Sequence, residues 1–252
     1  MRYIEPGTVI KNRLSDELLP KWEAAVLCFR DYKGSQELVR VFNAKPVGYK
    51  ILFGIQESEE CPFVYEAAIG DKTVGIITRC IWGGPQAAIL IEELAHIGIQ
   101  YAVGYGAAGG IDPAHCRGQQ IIVDSALPTD GTSRIYGNGL LLPDVGLVQS
   151  TRKAAGKLSC DIQCVAAATV DALYRETDTL VAELRSQGAQ VINMETSPFY
   201  AAASECGVKS IWIGHISDCL GVKWDDWYCD RDGMTNISAN LCFELLKDIL
   251  GG

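Results

Sequence analysis

A chain of 252 residues, 48% hydrophobic and with 26 glycines, can bury a sizeable core and is too apolar for a disordered segment. Its formal net charge of −9 argues against a sequence-independent grip on nucleic acid or an anionic membrane, both of which need a basic face, so neither is expected as a partner. The start, MRYIEPGTVIKNRLSDELL, has no apolar core of secretory length, and no apolar run approaches a membrane span, so the ten cysteines are expected to be buried, reduced thiols of a cytoplasmic protein.

No repeat, low-complexity stretch or linker divides the sequence, so residues 1–252 read as one domain. Ala24 to Phe29 has the composition of a buried strand, and Lys50 to Ile55, Val64 to Ile69 and Lys72 to Ile81 are expected to be strands as well. Gly83-Gly84-Pro85 breaks the chain before a helix, Gln86 to Ile97, whose Ala88, Ile91, Leu94 and Ala95 recur at helical spacing. Gln100 to Tyr105 is the next strand and leads into a glycine-rich turn, GAAGGIDP. Gln119 to Ser125 and Gln163 to Val170 are predicted strands, separated by a helix over Leu147 to Lys157. A helix over Thr177 to Gln187 presents Leu180, Val181 and Leu184 on one face.

The unit from Val191 to Leu220 carries the most information. An apolar strand ends in Met194-Glu195, a small-residue helix follows, and a second strand, Ser210 to Ile216, delivers Ser217-Asp218 at its carboxyl end. Carboxylates at strand ends are how an open α/β sheet presents chemistry to a crevice. A closing helix runs from Ile237 to Leu250. Alternating strands and helices predict a three-layer α/β/α sandwich around a central mixed sheet.

Glu195 has two readings. It either starts a helix, where its charge favours the N-terminal dipole, or it accepts hydrogen bonds from the two hydroxyls of a ribose, with Met194 as a soft apolar wall. Asp218 either caps a turn or acts as an acid towards a leaving purine, and at neutral pH that second role requires a proton held or shared in a sheltered pocket. His215 faces the core or the pocket. Cys160 with Cys164, and Cys219 with Cys229, lack metal-ligand spacing, with only His96, His115 and His215 to complete a site, so no metal and no cofactor are expected. Trp224, Trp227 and Tyr228, in a charged segment, suit a lid or an oligomer contact.

These motifs resemble the nucleoside phosphorylase family, the purine nucleoside and uridine phosphorylases together with the nucleoside hydrolases of the same fold. The resemblance spans residues 72 to 220 and fades over residues 1–70. It implies that Met194 and Glu195 hold the ribose of a small-molecule nucleoside, that Asp218, preceded by Ser217, is catalytic, and that the base is purine-like. The stretch Ala168 to Thr177 is similar to the family's base-binding strand, with Tyr174 matching and Leu173 where an aromatic usually stacks. Pro128 to Tyr136 resembles a family loop. The glycine segment would place Ala107, Ala108 and Gly109 against the substrate.

The same resemblance exposes a departure. The family binds phosphate through an arginine and a hydroxyl around the central glycine segment, where this chain has Gly104 and Ala107, and through an early Gly-Asp-Pro-x-Arg turn, where it has Arg30-Asp31-Tyr32-Lys33-Gly34. Gly83 and Gly84 before a helix, with Arg79, Arg30 or Lys33 for charge, are the remaining anion-binding candidates. Glu57, Glu59 and Glu60 read as a solvated run rather than as the water-orienting glutamate of the hydrolases. The resemblance therefore implies phosphorolysis with inorganic phosphate as co-substrate. Hydrolysis is the alternative raised by Gly104 and Ala107, and a non-catalytic nucleoside-binding or storage protein is a third reading. A homo-oligomer is implied as well, a dimer or a hexamer built as a trimer of dimers.

Overall fold

In the computed structural model, which describes residues 2–12, 19–47, 52–55, 62–115, 117–137, 139–220 and 231–251, nine strands form one mixed sheet. Strand β1 (Trp22–Cys28), WEAAVLC, is buried along almost its whole length, as a central strand covered on both faces must be. It pairs in parallel with β4 (Lys72–Ile77) on one side and with β5 (Tyr101–Gly110) on the other. Strands β3 (Val64–Ile69) and β2 (Lys45–Pro46) add an antiparallel edge beyond β4. Past β5 come β8 (Val191–Asn193), β7 (Ile162–Thr169), β6 (Gln120–Leu127) and β9 (Lys209–Cys219). Strand β9 then returns to pair in parallel with β5, so five strands close on themselves.

Helices cover both faces, as alternating elements predict. On one face, α3 (Gly84–Ile97) packs against α7 (Thr196–Glu205), and Leu90, Ile91, Leu94, Phe199 and Tyr200 join Leu27 and Trp212 in a common core. The short α1 (Pro6–Lys11) lies on α3, and α4 (Ser133–Tyr136) props α7. On the other face, α2 (Tyr32–Val41) and α5 (Val145–Lys157) pack against α8 (Arg231–Leu250), whose Leu241, Cys242, Leu245 and Leu246 form a buried stripe at helical spacing. Helix α6 (Asp178–Ser186) covers Ala168 and Ile192 with Val181 and Leu184. The helix starts follow from capping side chains: Asp31 accepts from Gly34 N at 3.0 Å, Asp144 from Leu147 N at 3.0 Å and Thr177 from Leu180 N at 3.3 Å. Among the described residues, no helix is long and apolar enough to cross a membrane.

Four local expectations are corrected. Of the strand expected over Lys50 to Ile55, Leu52–Ile55 is a turn, and Lys50 and Ile51 lie outside the described residues. The N–H groups of Phe53 and Gly54 donate to the buried Glu93 carboxylate of α3, so Leu52 and Ile55 are buried without sheet pairing. Strand β4 stops at Ile77, four residues early, because the chain turns away through Arg79 at φ 51°. Residues 32–41 form α2, where no helix was expected.

The most consequential correction concerns GAAGGIDP, which is not a turn: β5 runs through it to Gly110. Two glycines of the strand, Gly104 just before that stretch and Gly106 at its start, answer to a neighbour's side chain. A Cβ on Gly104 would lie 2.3 Å from Cε3 of Trp212, and one on Gly106 would lie 2.4 Å from Cζ2 of the same ring. The strand carries glycine there because the Trp212 indole from adjacent β9 lies flat across it.

Candidate active site

A cavity of about 360 Å³ lies where β5, β8 and β9 meet. Register brings the pieces together: Gly109 of β5 sits opposite Ile192 on one side and Asp218 on the other. The walls are Phe29, Arg30 and Asp31 after β1, Trp82 before α3, Ala107, Ala108 and Gly109 of β5, Leu173 and Glu176 after β7, Ile192 to Glu195, His215, Ser217 and Asp218 of β9, and Met234 of α8. Most of the residues singled out from sequence are therefore neighbours in space.

Glu195 is buried at the N-cap position of α7, but its side chain makes no capping bond. Asn193 does that work: its Oδ1 accepts from the backbone N of Thr196 at 3.3 Å and of Glu195 at 3.4 Å. The Glu195 carboxylate is free to turn into the cavity, where Oε1 accepts from Gly83 N at 3.0 Å and Oε2 from Met194 N at 3.3 Å. A carboxylate has about four acceptor positions, so two remain for hydroxyl groups. Burial is the larger influence and lifts this carboxyl to about 7 against the pull of those two N–H groups.

Asp218 owes its position to a bulge. Ala108 pairs with Ile216 but Gly109 with Asp218, so Ser217 is the extra residue that re-aims the strand end. The Ser217 hydroxyl donates to Asp218 Oδ1 at 2.6 Å. The carboxyl that titrates abnormally beside it is one that sequence reasoning missed. Glu176, half-buried in the same cavity, is raised to about 7 by burial first and by the Asp218 charge second. Asn193 and Glu176 sit within the segments read for function, but only the fold brings them to the wall.

The expected anion ligands are mostly elsewhere. The Gly83 N–H is held by Glu195, at a φ of 121° that suits glycine, so Gly83 positions the carboxylate and does not line the cavity. Gly84 packs against Pro198 and Thr132, where a Cβ would come within 2.9 Å of Pro198 Cγ. Arg79 lies with its guanidinium 3.8 Å from the centre of the Phe63 ring and donates to the carbonyl of Pro62, away from the cavity. Arg30 does line the wall, as does His215, which is fully buried, shares a hydrogen bond with Ser238 at 3.3 Å and faces core and pocket together. His215 is in register with Ala107, the position where a phosphate-binding hydroxyl was looked for.

Tyr174 is 94% exposed and does not line the cavity, although Leu173 beside it does. The loop at Pro128 to Tyr136 acts from behind: Ser197 Oγ donates to Leu127 O, and Thr129 Oγ1 donates to Thr169 O, fixing the ground on which α7 starts. Glu57, Glu59, Glu60, Trp224, Trp227 and Tyr228 lie outside the described residues. Among the described residues, no three His, Cys, Asp or Glu side chains gather as a metal site.

Comparison with known proteins matches residues 42–250 to a family described as the Phosphorylase superfamily. An uncharacterised protein of Acanthamoeba polyphaga mimivirus is 31% identical over 66% of this chain, and a guanosine phosphorylase of Halorubrum lacusprofundi is 26% identical over 51%. The matches span 62% and 54% of those two relatives. Among solved structures, the 5′-methylthioadenosine/S-adenosyl homocysteine nucleosidase of Campylobacter jejuni superposes with a TM-score of 0.75, at 16% identity, covering 90% of this chain and 99% of its own. The AMP nucleosidase of Bacteroides thetaiotaomicron has the same TM-score and identity, covering 98% and 97%. At that identity the likeness is one of fold.

Proposed function

The chain belongs to the Phosphorylase superfamily, and from that premise and the chemistry of the cavity we propose that it cleaves the N-glycosidic bond of a purine-type nucleoside, with water as the acceptor. Glu195 accepts the ribose hydroxyls, Met194 and Leu173 supply apolar walls, and Asp218 lies on the side of the base. As the C1′–N9 bond breaks, its electron pair goes to the base, a carboxylic proton moves to N7, and charge at C1′ becomes oxocarbenium-like. A water oxygen then bonds to C1′, and its proton is taken by His215 or the solvent.

The observation that carries the choice of water is Trp212. Its ring covers Gly104 and Gly106, so the position where the family resemblance looks for an arginine holds an aromatic cluster instead, with Phe29 stacked at 5.4 Å. Among the described residues, the cavity wall carries Asp31, Glu176, Glu195 and Asp218 against the single guanidinium of Arg30. A phosphate dianion entering there would lose hydration without enough compensating charge. Phosphorolysis is the second reading, favoured by Arg30, whose buried Nε makes no hydrogen bond among the described residues.

The test is base release from purine and pyrimidine nucleosides with and without inorganic phosphate, resolving free pentose from pentose 1-phosphate. Phosphate-independent release of pentose is expected; strict phosphate dependence would overturn the water assignment in favour of Arg30. Binding of a nucleoside without turnover would make this a binding protein. The homo-oligomer expected from the family resemblance would cover the exposed Phe53, Ile81, Trp82, Ile89 and Ile135, and sedimentation equilibrium tests it.

A further inference from the structure

We propose that Glu176 is the proton-sharing partner of Asp218, so that the acid presented to the departing base is a carboxyl pair rather than a single aspartate. The inference rests on the reading of the cavity as a site of base cleavage and assigns to it a residue that no motif pointed to.

Its geometry is fixed from both sides. Glu176 ends the 3-10 turn Leu173–Arg175, its backbone N donating to Leu173 O, and the next residue, Thr177, caps α6. The side chain is thereby directed to the wall that Leu173 and Asp218 share. Among the described residues, the charged and titratable groups facing this wall are Glu195 at the start of α7, His215 on β9, and Arg30 and Asp31 after β1. The neighbouring Arg175 is exposed.

Two carboxyl groups in one sheltered volume cannot both ionise cheaply, so the charge of Asp218 helps to hold a proton on Glu176. The burial of Glu176 and the charge of Asp218 act in that direction, bringing the Glu176 carboxyl to about 7. In the reaction the shared proton passes to N7 as the C1′–N9 bond breaks, leaving both carboxylates ionised. The proton released by the attacking water restores the pair through the solvent, and the sum is nucleoside plus water giving base plus pentose. Glu176 acts through Asp218, holding the proton that Asp218 passes to the base.

The experiment compares Glu176→Gln with the unaltered protein in kcat/KM against pH, using guanosine and 7-methylguanosine, whose base is already cationic and leaves without a proton. For guanosine, the unaltered protein should lose activity about tenfold per pH unit above about 7. In E176Q that limb should move roughly two units towards acid, a loss on the order of 100-fold at pH 7, while 7-methylguanosine changes less than about threefold. Superimposable profiles, or equal losses on both substrates, would overturn the proposal. If the unaltered protein cleaves neither substrate, the base-cleavage reading itself fails. The pair is then judged by carboxyl 13C titration: Glu176 should titrate near neutrality and fall by at least one unit in Asp218→Asn. A Glu176 that titrates like a surface glutamate would refute the pair regardless of activity.

Discussion

The seat that Gly104 and Gly106 make for Trp212 can be tested by a double-mutant cycle. In Gly104→Ala the new methyl would lie 2.3 Å from Trp212 Cε3, 2.9 Å from Cζ3 and 3.0 Å from Cδ2, where carbon atoms ordinarily rest about 3.5–4.0 Å apart. The ring cannot retreat: it is fully buried, with Phe29 stacked on it and Phe199 edge-on at 5.8 Å. Overpacking of this kind costs about 1–3 kcal/mol, and the fixed walls put it near the upper end, offset by roughly 0.5–1 kcal/mol from replacing a strand glycine. A net loss of about 2 kcal/mol is expected. Trp212→Leu alone should lose about 3–4 kcal/mol as a large-to-small change. With the ring gone, the three atoms nearest the added methyl are gone with it, so the double variant should be no less stable than W212L. Urea melts followed by far-UV circular dichroism give all four corners, and the expected coupling is about 2 kcal/mol. Additive losses in the double variant would show that Trp212 does not fill the space over Gly104 and would remove the main physical argument for water as acceptor.

Glu195→Gln should lower kcat/KM by roughly 30- to 1000-fold, the worth of one or two charged hydrogen bonds, and should erase discrimination between ribo- and 2′-deoxyribonucleosides in steady-state kinetics. Glu195 also links stability to pH. Its folded carboxyl is raised from 4.5 to about 7, so its favourable contribution is complete below about 4.5 and is lost as pH rises towards 7. Thermal melts should therefore show a decline in stability across that window, of roughly 3 kcal/mol from this group, and E195Q should flatten it; an unchanged profile would contradict the assignment. Tyr200→Phe removes a hydroxyl that donates to Val123 O at 2.6 Å and accepts from Trp212 N at 2.9 Å. It should cost about 2–3 kcal/mol in urea melts while leaving kcat on a nucleoside within about threefold.

The parts of this molecule legible in the sequence are those governed by local periodicity. The Val191 to Leu220 unit folds as strand, helix and strand, and Glu195 and Asp218 end up on one cavity wall because strand ends are where such a sheet opens. What was not legible depends on which strand lies beside which. GAAGG has the composition of a turn, and what makes it a strand comes from far along the chain: the indole of Trp212, more than a hundred residues later, covers Gly106, and Ile192 and Asp218 flank Gly109. Asn193 has the composition of an ordinary strand end, and its capping role appears only once Glu195 is seen to face away from the helix. Glu176 lies two residues beyond Tyr174, yet the glutamate turns in while the tyrosine is exposed; a 3-10 turn has three residues per turn, and no strand or helix period extends across it.

The replacement of an arginine position by Gly104 is therefore more than the loss of one ligand. Glycine there, glycine at 106, Trp212 on the neighbouring strand and the flanking Phe29 and Phe199 rings form one packed unit, and none of them can change alone without a clash or a void. Phe29 belongs both to that unit and to the cavity wall, so the apolar packing extends to the edge of the site. An arginine at 104 in the present core would have no room for its side chain and no water for its charge. A phosphate site, if the protein has one, must be assembled from the other face of β5, where Ala107 stands in register with His215 and where Arg30 reaches the wall. That places the decision between water and phosphate on Arg30 and His215, neither of which is part of the aromatic cluster.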